Sequence, residues 1–189
     1  MTRTFILYSH ATTNPSFSLD RLYEIGGLDL VCRCVLAALW LSKTVRKDTQ
    51  FLVSFNGGPK PPVAIRFDGA KLVGINPSER DIASVINKCL FKVKNQEWFA
   101  VQEGVAVSKK TFQEIVKDSR NIFVLDPKGA HISKVGFNDP TFVLGDNVGL
   151  PKQEMLFALR KGQNVSLGNQ VYLASAVISV VNWTLDRHG

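Results

Sequence analysis

The sequence is poor in the residues that build metal, disulfide and redox sites. Of 189 residues only three are cysteine, three histidine and two methionine. An odd, low cysteine count excludes a disulfide framework and points to reduced thiols in an intracellular setting. Cys32 and Cys34 stand two apart, off the Cys-x-x-Cys spacing of zinc and redox sites. With Cys89 they are expected as small buried apolar side chains. His10, His131 and His188 are far apart and form no His-x-x-x-His pair, so no metal is expected. Long apolar runs are also missing. Leu28 to Leu41 is interrupted by Asp29 and Arg33, and Val171 to Trp183 carries Ser175, Ser179 and Asn182. Both fall short of the ~20 residues that span a bilayer, so a soluble, cytoplasmic chain without membrane contact is expected. Gly-x-Gly-x-x-Gly and P-loop patterns are absent, which disfavours a phosphate-anchored dinucleotide or ATP.

What is present describes a globular chain. Hydrophobic residues make up 45% and charged residues 21%, outside the composition of disordered or fibrous proteins. The length suits one domain, residues 1–189, with a core that needs neither disulfide nor metal. Lys and Arg number 23 against 16 Asp and Glu, a net charge of +7. A basic domain suits an anionic partner, nucleic acid first.

Strands are expected at Thr4–Ser9, Gln50–Phe55 and Pro62–Phe67, each a compact apolar run. The latter two are placed as a hairpin with a wide connection. A buried helix is expected over Leu28–Ser42 and a second from Ser78 to about Phe91, opened by a capping pair, Ser78 and Asp81. Residues 92–107 are ambiguous, and Ser108 is placed as the cap of a helix to Asp118. Then follow strands Asn121–Asp126 and Thr141–Gly145, a helix from Pro151 to Lys161, a strand Asn164–Leu167 and a final helix capped by Asn169. Apolar strands alternating with helices imply an α/β fold with a mostly parallel sheet.

In such sheets ligands bind beyond the carboxyl ends of the strands. Three loops there contain glycine: Asp126–Gly129, Gly145–Leu150 and Gly168–Gln170. Together they suit a nucleoside held by main-chain groups. Gly26-Gly27-Leu28-Asp29-Leu30-Val31-Cys32-Arg33-Cys34, Asn76-Pro77-Ser78-Glu79-Arg80, Val143-Leu144-Gly145-Asp146-Asn147-Val148-Gly149-Leu150 and Val165-Ser166-Leu167 occur in that order. In them the chain resembles the TrmY family, archaeal-type tRNA pseudouridine-54 N1-methyltransferases of the SPOUT class. The resemblance implies a trefoil knot in the C-terminal half, S-adenosylmethionine (SAM) as cofactor, and a homodimer with sites at its interface. It divides the domain into residues 1–120, carrying substrate-side elements, and residues 121–189, the knotted SAM-binding half. It places SAM against Leu125, Gly145, Leu167, Gly168, Asn169, Gln170, Val171 and Tyr172. It also puts Val177 where the family has a cysteine wall, and Gly27 where it has an arginine.

The implied reaction moves a methyl group to N1 of pseudouridine at T-loop position 54 of tRNA. The N1 proton must leave, so a base is needed. Asp29, opening an apolar helix, is a candidate base or a helix-dipole partner. Arg33, one turn on, either clamps phosphate or pyrimidine carbonyls or pairs with Asp29. Arg80, in the first turn of its helix, is placed on an RNA anion or left as a surface arginine. The alternatives are methylation of ribosomal RNA pseudouridine at N1, and a non-catalytic RNA-binding protein on the same fold.

Overall fold

A computed structural model of the chain describes residues 1–187; His188, the third histidine, lies outside the described residues. Eight strands form one sheet in the order β4-β5-β3-β2-β1-β7-β6-β8. They are β1 (Arg3–Thr12), β2 (Thr49–Gly57), β3 (Val63–Asp68), β4 (Phe99–Gln102), β5 (Val105–Ser108), β6 (Ile122–His131), β7 (Thr141–Gly145) and β8 (Gly162–Ser166). The five strands from β2 to β8 in that order run parallel, while β3, β5 and β4 add an antiparallel flank. The mostly parallel α/β sheet expected from the sequence is therefore present.

Five helices cover the sheet: α1 (Leu28–Leu39), α2 (Glu79–Lys92), α3 (Phe112–Asp118), α4 (Lys152–Leu159) and α5 (Ala174–Asp186). Period-two alternation along the strands decides which face each side chain serves. On β1, Phe5 and Leu7 enter the larger core with α1, α2 and α5, while Ile6 enters the smaller one with α3 and α4. Phe5, Ile6 and Leu7 have no exposed surface. Strands covered on both faces read as continuous apolar runs rather than as alternation, and β1, β2 and β7 do so.

Several boundaries differ from the sequence expectation, each for a local reason. The ambiguous stretch holds the β4–β5 hairpin, turning at Glu103-Gly104, with Gly104 at φ +77°. Ser108 does not cap α3; it ends β5, where its hydroxyl donates to the Gln96 carbonyl at 2.7 Å. Thr111 caps α3 instead, in a reciprocal capping box with Glu114. β1 extends through His10 to Thr12, because these residues pair onward with β2 across a register shift. Asn169 does not cap the last helix, which begins only at Ala174; residues 169–173 form an open loop. Among the described residues no helix is long and apolar enough to cross a membrane.

Candidate active site

The carboxyl ends of β1, β6, β7 and β8 lie side by side, and two cavities open there. The larger part of the expected cofactor set converges on one of about 530 Å³. Leu125 comes from β6, Gly145 from the end of β7, and Leu167, Gly168, Gln170, Val171 and Tyr172 from the loop after β8. Val177 reaches it from α5. Asn169 belongs to the same loop but is not part of the wall. Leu144, Leu150, Met155 and Val165 complete a largely apolar slot. Apolar walls with main-chain polar groups along three loops suit a purine nucleoside that carries no phosphate.

Two glycines are needed to build this wall. A Cβ on Gly145 would collide with the backbone of Gly149 and Leu150, so the β7 loop closes on itself only around glycine. Gly168 stands at φ +113°, a left-handed conformation that other residues adopt only with strain. The Ser166 hydroxyl fixes that turn, accepting the Gly168 N–H at 2.9 Å.

The second cavity has a volume of about 520 Å³. Its wall includes His10, Thr12 and Asn14 from β1 and the segment after it, and Arg21, Glu24 and Gly26 from the approach to α1. The walls of the two cavities meet at one contact. Asp146, a wall residue of the first, bonds to His10, a wall residue of the second. Asn147 of the first also lies 3.8 Å from where a Cβ on Gly27, the chain neighbour of wall residue Gly26, would stand.

Asp146 is the buried anion at this junction, its side chain only 2% exposed. The carboxylate accepts the His10 backbone N–H at 2.6 Å and the Val148 N–H at 3.0 Å, and meets His10 Nδ1 at 3.0 Å. Tyr8 packs edge-on against the His10 ring, centroids 5.2 Å apart. Burial, and then the charges of Glu154 and Asp146, hold the Tyr8 hydroxyl above its ordinary value, so it stays protonated. Sequence reasoning missed the His10–Asp146 pair, which joins residues 136 positions apart. The signal that was visible is the placement of Asp146 inside a glycine loop at a strand end.

The other expected site residues lie elsewhere. Asp29 and Arg33 pair with each other at 2.8 Å across one turn of α1, with Glu79 of α2 3.8 Å from the same guanidinium nitrogen. Arg80 pairs with Asp20, both exposed. Among the described residues none of these borders either cavity. No group of three or more His, Cys, Asp or Glu side chains among the described residues is placed to hold a metal.

Comparison with known proteins settles the family. Residues 2–189 match the model of a family described as "Putative SAM-dependent RNA methyltransferase". The tRNA (pseudouridine(54)-N(1))-methyltransferase of Thermococcus kodakarensis is 40% identical, the match covering 97% of this chain and 98% of that protein. The chain belongs to this methyltransferase family. A Methanocella arvoryzae relative of the same name is 36% identical, with 98% of this chain and 99% of the relative covered. The fold is that of Archaeoglobus fulgidus Nep1, solved bound to S-adenosylhomocysteine: TM-score 0.69, 13% identity, 98% of this chain and 97% of Nep1 covered. SAM is the cofactor of the family to which these residues belong, and the apolar, glycine-looped cavity fits it.

Proposed function

We infer that the chain methylates N1 of pseudouridine at position 54 of tRNA. The convergence of three glycine loops on one apolar cavity, in a chain 40% identical to an enzyme of that name, carries the reading. When bound, SAM supplies a methyl group activated on a sulfonium. Leu125, Gly145, Leu167, Gly168, Gln170, Val171, Tyr172 and Val177 would hold it, the side chains packing the adenine and the loops meeting its polar edges. Excluding water and fixing two reactants side by side supplies much of the barrier reduction for such a displacement. The three loops belong to a trefoil knot in residues 121–189, a reading supported by the fold shared with Nep1.

The remaining 1–120 half supplies the RNA side of one domain. Arg33, in the middle of α1, and Arg80, in the first turn of α2, engage tRNA phosphates. Only Nη1 of Arg33 is used by Asp29 and Glu79, which leaves donors on the same fork. Asp29, committed to that guanidinium, positions it. The chain acts as a homodimer: Val148, Val171, Tyr172 and Leu173 are exposed by the cofactor cavity, and Val180 and Trp183 are exposed along α5. Apolar surface of this kind, adjoining a site, suits a second copy. Each chain brings +7, and the pair faces a polyanion in the cytoplasm, where tRNA works.

Transfer from labelled SAM to T-loop-unmodified tRNA tests the reading, with position 54 either uridine or pseudouridine and nucleosides analysed by mass spectrometry. The expected product is 1-methylpseudouridine, formed only where pseudouridine is present. Equal labelling of the uridine tRNA, or labelling of a ribosomal RNA hairpin alone, overturns it.

A further inference from the structure

The reaction releases a proton from pseudouridine N1, and the structure supplies an acceptor that lies between the two cavities. We propose that His10, oriented by Asp146, takes this proton; the inference rests on the function proposed above. An ionised carboxylate only accepts hydrogen bonds, so the 3.0 Å contact from Asp146 Oδ1 to His10 Nδ1 requires Nδ1 to carry the ring hydrogen. Nε2, on the other side of the ring, then holds a free lone pair. Among the described residues nothing hydrogen-bonds to Nε2, and the His10 side chain is 37% exposed at the cavity wall. The ring cannot turn freely, because Asp146 also accepts the His10 backbone N–H at 2.6 Å and Tyr8 packs on it. A buried carboxylate, an imidazole and an open cavity in sequence form the arrangement that fixes a base in one tautomer and aims its lone pair at the cavity.

The second cavity is the place for the base. It adjoins the cofactor cavity at His10–Asp146. Thr12, Asn14 and Arg21 offer donors and acceptors for the two carbonyls and the N3 hydrogen of the pyrimidine ring. The N1 lone pair forms the new bond to the methyl carbon while the methyl–sulfur bond breaks and its electrons return to sulfur. The N1 proton passes to His10 Nε2, the sulfonium charge is thereby transferred to an imidazolium, and Asp146 offsets it. Solvent later takes the proton from the exposed ring. The charged and titratable groups facing His10 are Asp146 from the β7 loop, Tyr8 from β1, and Arg21 and Glu24 across the cavity.

His10→Ala and His10→Gln are the test, since an exposed ring at the cavity wall is removable without opening the core. Both variants are expected to bind SAM with unchanged affinity by calorimetry, and to lose roughly 10²–10⁴-fold in single-turnover methyl transfer to pseudouridine-54 tRNA. In the free protein, the ¹⁵N resonances of His10 show a protonated Nδ1 and a bare Nε2, and Asp146→Asn abolishes that preference. Near-normal rates in the variants, or an Nε2-protonated ring, overturn the role of His10 alone. Failure of the wild type itself to form 1-methylpseudouridine overturns the function on which the inference rests.

Discussion

At the scale of single residues, the cofactor wall depends on backbone more than on side-chain chemistry. Gly168 shows why. Its φ of +113° costs a residue with a Cβ about 1–3 kcal/mol, yet space around it is open, with nothing within 4 Å of an added Cβ. The penalty therefore acts on the loop shape and not on the core. Gly168→Ala is expected to weaken SAM binding about tenfold, the equivalent of ~1.4 kcal/mol, with little change in melting temperature. Calorimetry and thermal melting check the pair, and equal losses in both would contradict it. The cysteines are the counterpart. All three are buried and free, and burial pushes the Cys34 and Cys89 thiols up to about 12. Burial that keeps these thiols neutral agrees with the small-apolar role read from their number and spacing.

At the scale of elements, β1 and α5 are tied at their ends by an ionic cluster that no sequence pattern displays. Buried Arg3 at the start of β1 donates to Asp48 at 2.9 Å and to Asp186 at 2.8 Å, and also reaches the Asn182 side chain at 3.2 Å. Arg46 donates to the same Asp186 carboxylate at 2.6 and 2.9 Å. The Arg46 hydrogen bonds first, and Arg3 with them, hold the Asp186 carboxyl below its ordinary range against the opposing effect of burial. A depressed folded pKa means that the unfolded chain takes up the proton first. The stabilisation is complete above the unfolded value of ~4 and is lost as pH falls through the lower folded value. Asp186→Asn is therefore expected to lower the melting temperature at pH 7 and to narrow its gap from the wild type toward pH 3. Melting curves at both pH values check this; a constant gap would refute it. The elements themselves were largely legible. Apolar runs exposed β1, β2, β3 and β7, and Ser78 with Asp81 marked α2, whose cap accepts the Asp81 N–H at 3.1 Å. The β4–β5 hairpin was hidden because β4 is a short, exposed edge strand without alternation, and Glu103-Gly104 was its only cue. The site was legible where loops carry it. It was illegible at His10–Asp146, because parallel strands β1 and β7 bring the pair together from opposite ends of the chain.

At the scale of the whole molecule, one group of exposed apolar residues begins at the cofactor cavity and continues along α5. Val171, at 87% exposure, and Tyr172 and Leu173 after it leave the cavity wall for solvent. Ala176, Val180 and Trp183 continue along one stripe of α5, at the i, i+4, i+7 spacing of a helix face. Among the described residues this stripe meets only the Arg187 guanidinium, 4.8 Å over the Trp183 ring, while the opposite face of α5, with Ile178, Val181 and Leu185, packs in the core. A second copy laid on it would order the Leu167–Leu173 loop from outside, and cofactor affinity would then depend on assembly. Val180→Glu combined with Trp183→Glu places charges on the stripe without touching a cavity residue. The wild type is expected to sediment as a dimer and the double variant as a folded monomer, with far-ultraviolet circular dichroism unchanged. SAM binding in the monomer is expected to weaken at least tenfold, because the loop loses its outer support. A double variant that still sediments as a dimer would place the interface elsewhere, and a monomer with full SAM affinity would separate the cofactor site from assembly.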